Sequence, residues 1–199
     1  MRGLFVTGTD TGVGKTFITC ALARRAREAG LRVFAFKPIE TGCKWIGADQ
    51  AALARASGDV PRGTYRLRMP AAPSVAAKAE GVEIDLDRVA HDFVESVQAD
   101  VVLVEGAGGW RVPLTPEYDT SELARRCGLP VLIVARSTLG TINHTLLTIE
   151  AVQRDGLKIG GVVLSRRPED DLEFASTNAN QISEHSRIPI LVWPSLPAL

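Results

Sequence analysis

The sequence has no excess of either charge: its 199 residues include 23 lysine and arginine residues and 23 aspartate and glutamate residues. This balance argues against a nucleic-acid binder or a protein held on anionic membranes, because their affinity comes largely from unpaired basic charge. No apolar run approaches the roughly 20 residues needed to cross a bilayer. A strand-like run begins at once at residues 4–7, so we expect no signal peptide. The composition, 45% hydrophobic and 23% charged, is typical of a globular protein, which we interpret as one domain over residues 1–199.

Cysteine is also scarce, with only Cys20, Cys43 and Cys127 present. Their number is odd and their spacing matches no zinc or redox motif, which favours a reduced, cytoplasmic compartment. Cys20 lies in an apolar helical stretch and is predicted to be part of the core. Cys43 is interpreted as a small neighbour of a site rather than as a nucleophile.

Short apolar runs alternate with amphipathic segments along the whole chain. Strands covered on both faces are predicted where Val, Ile and Leu dominate, at residues 4–7, 33–36, 101–104, 131–135, 161–164 and 189–192. Helices are predicted at residues 15–29, 49–56, 86–97, 121–127, 141–155 and 169–185. This alternation predicts an α/β fold with a mostly parallel sheet of about six or seven strands and helices on both faces. Residues 61–73, rich in Pro, Gly and Ala, are predicted to form an irregular surface connection.

A glycine-rich loop joins the first strand to the first helix and reads Gly-Thr-Asp-Thr-Gly-Val-Gly-Lys-Thr over residues 8–16, called the P-loop below. Backbone N–H groups of such a loop can cradle phosphate oxygens together with the helix N-terminus. Lys15 would neutralise phosphate charge, and the Thr16 hydroxyl would reach Mg²⁺. Thr9 stands where the usual pattern has a glycine, and the alternative is a turn that merely connects strand and helix. Gly-Lys-Thr at this junction favours a nucleotide site.

Two carboxylates are candidates for a metal site. Glu105 ends the apolar strand at residues 101–104, and the glycines that follow leave room for a ligand. A carboxylate there can complete the coordination of Mg²⁺, whereas the alternative is a solvated residue at a turn. Asp49 is equally well explained as a helix N-cap or as a metal ligand. Both readings of Asp49 stay open on the residues alone.

Lys37 ends the second predicted strand, and Pro38 keeps it out of α conformation. The carboxyl ends of parallel strands face the ligand crevice. A lysine there can stabilise anionic charge in a phosphoryl-transfer transition state. The alternative is an exposed lysine at the edge of the sheet, and the Thr41-Gly42 that follows favours the functional reading.

Together these blocks resemble the dethiobiotin synthetase family of the P-loop NTPase superfamily. The Thr-Gly-Thr-Asp-Thr start of the loop and the block Leu-Gly-Thr-Ile-Asn-His are distinctive in combination. The matching segments, in family order, are residues 8–16, 37–38 with 41–42, 49, 105–110 and 139–144.

The resemblance implies an ATP- and Mg²⁺-dependent ligase of biotin biosynthesis that works as a cytoplasmic homodimer. Diaminopelargonic acid (7,8-diaminononanoate) would take up CO₂ as a carbamate, ATP would phosphorylate the carbamate, and the second amine would close the ring. The products would be dethiobiotin, ADP and phosphate. Positioning and charge neutralisation dominate such phosphoryl transfer, and no covalent nucleophile is required.

The resemblance also assigns roles to residues of this sequence. The catalytic residues would be Lys37, Lys15 and Thr11. The Mg²⁺ ligands would be Thr16, Asp49 and Glu105, which favours the metal-ligand reading of Asp49. The nucleotide would contact Gly12, Val13, Gly14, Lys15, Thr16, Phe17, Asp49, Glu105, Gly106, Ala107, Gly108, Ser165, Arg166 and Pro194. The substrate would contact Thr41 and, on the partner subunit, the helix start at Gly140, Thr141, Ile142 and Asn143.

The sequence departs from the family pattern at the nucleotide base. The family often has an asparagine that reads adenine after the fifth strand, where this sequence has Ser165, which offers one hydroxyl in place of a two-sided amide. CTP and other triphosphates are therefore candidates beside ATP. The match of Pro194 to the short C-terminal loop of the family is weak.

Two other functions fit the motifs less well. A partitioning-type ATPase switch shares the fold, but such proteins usually carry an additional lysine early in the loop, where this sequence has Thr9 and Asp10. No basic or amphipathic targeting surface is evident in the sequence. Another amidating or carboxylating ligase of the superfamily remains the second alternative.

Overall fold

A computed structural model describes residues 2–96 and 98–193, in which strands and helices alternate. The strands are β1 (Arg2–Gly8), β2 (Val33–Phe36), β3 (Ile39–Thr41), β4 (Tyr65–Leu67), β5 (Val101–Gly109), β6 (Val131–Arg136), β7 (Ile159–Ser165) and β8 (Ile190–Trp193). The helices are α1 (Lys15–Glu28), α2 (Ala48–Ser57), α3 (Pro73–Glu80), α4 (Leu86–Ser96), α5 (Thr120–Cys127), α6 (Thr141–Arg154) and α7 (Leu172–Ser186). Within the described ranges, no helix is both long and apolar enough to span a bilayer.

Six strands form the main sheet in the order β2-β5-β1-β6-β7-β8, and every pairing in it is parallel. This confirms the predicted α/β P-loop NTPase fold with its mostly parallel sheet. β1 lies in the interior of the sheet between β5 and β6. Because all strands run the same way, the chain leaves β1, β2 and β5 at one edge of the sheet, where ligands of such folds bind.

Both faces of the sheet are covered, as the apolar strand composition predicted. Val102 and Val104 of β5 pack into the core cluster on one face, and Leu103 between them packs into the cluster on the other. The second cluster also contains Cys20 of α1, which confirms its predicted place in the core. Burial on both faces fixes the positions of the strand ends that carry the polar residues.

The prediction of an irregular connection over residues 61–73 was wrong in part. Residues 65–67 form β4, which pairs in parallel with β3 as a separate two-stranded sheet, and Pro73 is the first residue of α3. In β4 the side chains of Tyr65 and Leu67 are buried while Arg66 is exposed. β4 was missed because three residues are too few to show a periodic pattern. The start of α3 was missed because Pro73 lies in a segment whose composition predicts a loop, although proline is well tolerated at the first position of a helix.

Candidate active site

The P-loop turns from β1 into α1 by means of glycine. Gly14 has φ 98° and is the N-cap residue of α1, and a Cβ there would overlap the hydroxyl of Ser165. No side chain caps the helix at this position, so its first N–H groups are open to an anion. Lys15 curls back over the loop and its ammonium group donates to the carbonyl of Asp10 at 3.1 Å. The loop therefore has the geometry of a phosphate-binding site.

Lys37 joins the two predicted metal-binding carboxylates. Its Nζ atom lies 2.7 Å from Oε1 of Glu105 and 3.2 Å from Oδ2 of Asp49, and it donates to the carbonyl of Gly106 at 3.1 Å. Thr16 donates its hydroxyl to the same Oε1 of Glu105 at 2.9 Å. The ends of β2 and the middle of β5 thus meet the start of α1, as the parallel sheet predicted.

The pKa values of the two buried lysines are shifted in opposite directions. Burial lowers the pKa of Lys15 to about 8, and the nearby positive charge of Lys37 lowers it further. Burial also acts to lower the pKa of Lys37, but the carboxylates of Glu105 and Asp49 outweigh it, and the pKa is raised. Lys37 is therefore a fixed positive charge, whereas Lys15 titrates near neutral pH.

The oxygen atoms around Glu105 fit a divalent cation. Glu105 is fully buried, and its Oε2 atom has no hydrogen-bond partner among the described residues. A buried carboxylate oxygen without a partner is costly unless a cation or a water satisfies it. Carboxylate and hydroxyl oxygens are ligands that Mg²⁺ prefers, and Asp49 and Thr16 supply further ones. Within the described ranges, no group of three or more His, Cys, Asp or Glu residues could hold a metal ion.

A cavity of about 680 Å³, called the main cavity, lies against the P-loop and the charged residues. Its polar wall contains Lys15, Lys37, Thr41, Asp49 and Glu105. Its other wall is mostly apolar and is formed by Ile39, residues 70–73, Ala107, Gly108 and Val112. A cavity of this size suits a small molecule that carries both an aliphatic chain and charged groups. Thr11, Gly12, Gly14, Thr16 and Phe17 line the main cavity too.

A second cavity of about 480 Å³ lies on the other side of the P-loop. It is lined by Gly12, Val13, Gly14 and Phe17 from the loop and α1, and by Arg136, Thr138, Ser165, Arg166, Arg167, Pro168 and Asp170. This arrangement places Ser165 and Arg166 beside the P-loop, and their contact with the nucleotide stays a prediction. The Arg166 guanidinium donates to the carbonyl of Asp170 at 2.6 Å, which anchors the loop after β7.

The start of α6 lies apart from both cavities. Gly140, with φ 90°, is the N-cap residue, and the Thr141 hydroxyl donates to the carbonyl of Arg136 at 2.6 Å. Ile142 is half-buried and Asn143 is exposed. Within the described chain these four residues line neither cavity, so their role in substrate binding stays a prediction for a partner subunit. Pro194 lies outside the described residues.

The reading of Asp49 as a helix N-cap was wrong. Gly47 is the N-cap residue of α2, and Asp49 lies in the first turn with its carboxylate on Lys37. The capping group is Glu40 of β3, whose carboxylate accepts from the backbone N–H groups of Asp49 and Gln50. Glu40 and Gln50 are buried polar residues that the sequence interpretation missed. A glutamate two positions after Pro38, between Ile39 and Thr41, was the available signal.

Comparison with known proteins gives close relatives along the whole chain. A family model described as an AAA domain matches residues 2–199. An ATP-dependent dethiobiotin synthetase BioD of Anaeromyxobacter dehalogenans (strain 2CP-C) is 47% identical over 208 residues, covering 99% of this chain and 92% of that protein. An ATP-dependent dethiobiotin synthetase BioD of Anoxybacillus flavithermus is 38% identical, covering 96% of this chain and 90% of that protein.

Solved structures share the fold at low sequence identity. The MinC:MinD cell division protein complex of Aquifex aeolicus contains a chain with a TM-score of 0.60 and 15% identity, covering 99% of this chain and 83% of that one. Chloroplast FtsY from Physcomitrella patens has a TM-score of 0.56 and 20% identity, covering 95% of this chain and 56% of that one. At such identities the likeness concerns the fold alone.

Proposed function

The chain belongs to the family of ATP-dependent dethiobiotin synthetases, and we propose that it converts 7,8-diaminononanoate (diaminopelargonic acid), CO₂ and ATP to dethiobiotin, ADP and phosphate. It is thus a ligase of biotin biosynthesis. The observation that supports this reaction is the position of Lys37, 2.7 Å from Glu105 and 3.2 Å from Asp49, where the P-loop meets a half-apolar cavity. This arrangement places fixed positive charge where a phosphoryl group and a carboxylated amine would meet.

The reaction has three steps, in which only the proposed substrates supply atoms. One amine of the substrate attacks CO₂ and loses a proton, which gives a carbamate. A carbamate oxygen attacks the γ-phosphorus of ATP, the bond to ADP breaks, and a carbamic–phosphoric anhydride forms. The second amine then attacks the carbonyl carbon, loses a proton and releases phosphate, which closes the cyclic urea.

The chain's contribution is to position these groups and to neutralise charge. The P-loop N–H groups hold the phosphates, and Lys15 and Lys37 contact the transferring phosphoryl group and the carbamate. Both ammonium groups are almost fully buried, and low solvent exposure strengthens their electrostatic effect. Thr11 lines the same cavity and would contact the transferred group from the exposed side of the loop.

Thr16, Asp49 and Glu105 would hold Mg²⁺ beside the nucleotide. The bound ion would supply charge neutralisation on the phosphate oxygens. The partnerless Oε2 atom of Glu105 is the feature of this chain that supports such a site.

The apolar wall of the main cavity would pack against the aliphatic chain of the substrate, and Thr41 would contact its polar end. The substrate carboxylate would reach Gly140, Thr141, Ile142 and Asn143 of a partner subunit in a homodimer. Gly140 and Asn143 are exposed at this helix start, and a helix N-terminus is a suitable anion site.

The second cavity would receive the nucleotide base. Ser165 and Arg166 are among the polar residues that line it, and a Cβ at Gly14 of the P-loop would overlap the Ser165 hydroxyl. The Ser165 hydroxyl can exchange a hydrogen bond with either adenine or cytosine, so ATP and other triphosphates such as CTP are candidate phosphate donors.

The location we propose is the cytoplasm. Cys20, Cys43 and Cys127 are all buried free thiols. Burial raises the pKa of Cys20 to about 11 and that of Cys127 to about 12, so both thiols stay protonated and inert. A reducing compartment is the usual environment of such cysteines.

The direct test is product analysis. The protein is incubated with diaminopelargonic acid, bicarbonate, Mg²⁺ and either ATP or CTP, and dethiobiotin is measured by mass spectrometry. We expect dethiobiotin together with equimolar nucleoside diphosphate, and neither in the absence of the diamine. Absence of product, with nucleotide hydrolysis stimulated by DNA or lipid instead, would refute the proposal and favour a partitioning-type switch.

A further inference from the structure

Glu40 is a buried carboxylate that the proposed reaction does not use directly. It borders the main cavity but is only 6% exposed. Its Oε1 atom accepts from the N–H of Asp49 and its Oε2 atom from the N–H of Gln50, both at 2.9 Å. The N–H groups in the first turn of a helix have no partner within the helix. Glu40 of β3 therefore caps the helix that carries Asp49.

This cap depends on a glycine in the position that usually holds the capping side chain. Gly47 has an extended backbone at the N-cap of α2 and forms no side-chain cap. A Cβ at Gly47 would overlap the carboxylate of Glu40. Most helices are capped by their own N-cap residue, which ties the helix to nothing else. A cap from Glu40 fixes the start of α2 to β3.

Gln50 ties the same turn to Lys37. Its side chain is fully buried, its Nε2 atom donates to the carbonyl of Lys37 at 3.1 Å, and its Oε1 atom accepts from Arg66 of β4. The first turn of α2 is thus held at two points, by the side chain of Glu40 and by the backbone of Lys37. Asp49 lies in this turn, and its carboxylate is 3.2 Å from the ammonium group of Lys37.

We propose that Glu40 is a positioning residue for the metal site, because its cap on α2 fixes the place of the Asp49 carboxylate relative to Glu105 and Lys37. The inference rests on the proposed function, in which Asp49 holds Mg²⁺. The Asp49 side chain is 39% exposed, so neighbouring side chains restrain its position only in part. The position of its carboxylate therefore depends mainly on where the backbone of α2 begins. Groups that orient a metal ligand commonly change metal affinity 10- to 100-fold when they are lost.

The test is direct binding of Mn²⁺ in place of Mg²⁺, with the electron paramagnetic resonance signal of free Mn²⁺ as the readout. The protein is saturated with a non-hydrolysable ATP analogue, so that catalysis plays no part. Wild-type protein is compared with Glu40→Gln, with Asp49→Asn as the reference loss, and with Asp85→Asn as the matched control. Asp85 directly precedes α4 and caps it locally, since its Oδ1 atom accepts from the N–H groups of Asp87 and Arg88 away from the site.

A double variant separates positioning from stability. Glu40→Ala/Gly47→Ser gives α2 a serine cap of its own but removes the tie to β3. We expect the thermal midpoint of the double variant to lie closer to the wild-type value than that of Glu40→Gln does. Its Mn²⁺ dissociation constant should stay raised by about tenfold, as in Glu40→Gln. The KM for the diamine at saturating Mg²⁺ should be unchanged in both variants.

Three results would overturn the inference. Wild-type Mn²⁺ affinity in Glu40→Gln or in the double variant would leave Glu40 a purely stabilising residue. A raised KM for the diamine with intact Mn²⁺ affinity would make Glu40 a substrate contact. Wild-type affinity in Asp49→Asn would remove Asp49 from the metal site, while formation of dethiobiotin by the wild-type protein would still support the proposed function.

Discussion

The two cavities that share the P-loop are built in different ways. On the side of the main cavity, Lys15, Lys37 and Glu105 are 6%, 4% and 0% exposed, and Lys37 and Thr16 both donate a hydrogen bond to Glu105. On the side of the second cavity, Ser165 and Arg166 are half-buried and the neighbouring arginines are exposed. Charges in a dry environment interact strongly and are costly to leave unpaired. If the proposed function holds, the difference would leave the groups around Glu105 fixed in advance and the side of Ser165 adaptable.

The largest effect is expected for Lys37→Ala. Loss of one preorganised charged contact costs roughly 10²–10³ in kcat, whereas nucleotide binding by the P-loop should largely survive. The thermal midpoint should fall as well, because Glu105 would stay buried without its cation. Steady-state kinetics at temperatures below the thermal midpoint of the variant measure the loss in kcat, and the variant Lys158→Ala, at an exposed lysine, is the control. Near-normal turnover of Lys37→Ala would show that the buried charges of the main cavity matter no more to the reaction than the half-buried residues of the second cavity.

The next effect is expected for Glu105→Gln. The amide keeps the shape but removes the charge, so the Mg²⁺ concentration for half-maximal activity should rise by about tenfold or more. A magnesium titration of the activity measures it, and the exposed Glu117→Gln should match wild type. An unchanged magnesium requirement would show that Glu105 only balances the charge of Lys37.

A pH effect of intermediate size is expected from Lys15, whose pKa is lowered to about 8. Above this pH the free protein must take up a proton before Lys15 can pair with a triphosphate. ATP affinity should therefore fall as pH rises from 8 towards 10, by up to about tenfold per pH unit. Calorimetry in two buffers of different ionisation enthalpy measures the proton uptake, which Lys15→Gln should abolish. Affinity independent of pH over this range would contradict the assignment.

The smallest effect is expected for Ser165→Ala in the second cavity. One neutral hydrogen bond contributes about 0.5–1.5 kcal/mol, so the KM for ATP should change by less than about tenfold while kcat is unchanged. The same assay with CTP shows whether the hydroxyl distinguishes the two bases. A loss in kcat as large as that of Lys37→Ala would show that the base site is as rigid as the reacting site.

The contacts that could be predicted from sequence are those that follow apolar strand segments, although β5 continues to Gly109 and Glu105 therefore lies within the strand and not at its predicted end. The P-loop, Lys37 and Glu105 each follow an apolar run, and a parallel sheet brings such ends to one edge. An apolar run followed by a polar residue, together with the rule for parallel sheets, was therefore sufficient to predict that these residues lie close together. The roles of the individual residues in binding and catalysis stay predictions.

The contacts that could not be predicted join short elements across the chain. β3 and β4 have three residues each, and their pairing links segments that are far apart in sequence. The cap of α2 comes from Glu40, nine positions before Asp49, and only the fold shows that the two residues meet. Local patterns carry no information on such pairings, so the residues alone leave both readings of Asp49 open.

The interior position of β1 has a consequence for the order of events during synthesis. β1 is complete at Gly8, but its neighbours β5 and β6 begin only at Val101 and Val131. At about 5–20 residues per second, β1 waits roughly 5–20 s for its first partner, with apolar side chains such as Phe5 unprotected meanwhile. The P-loop is among the first segments made, yet it becomes a nucleotide site only after half of the chain has left the ribosome.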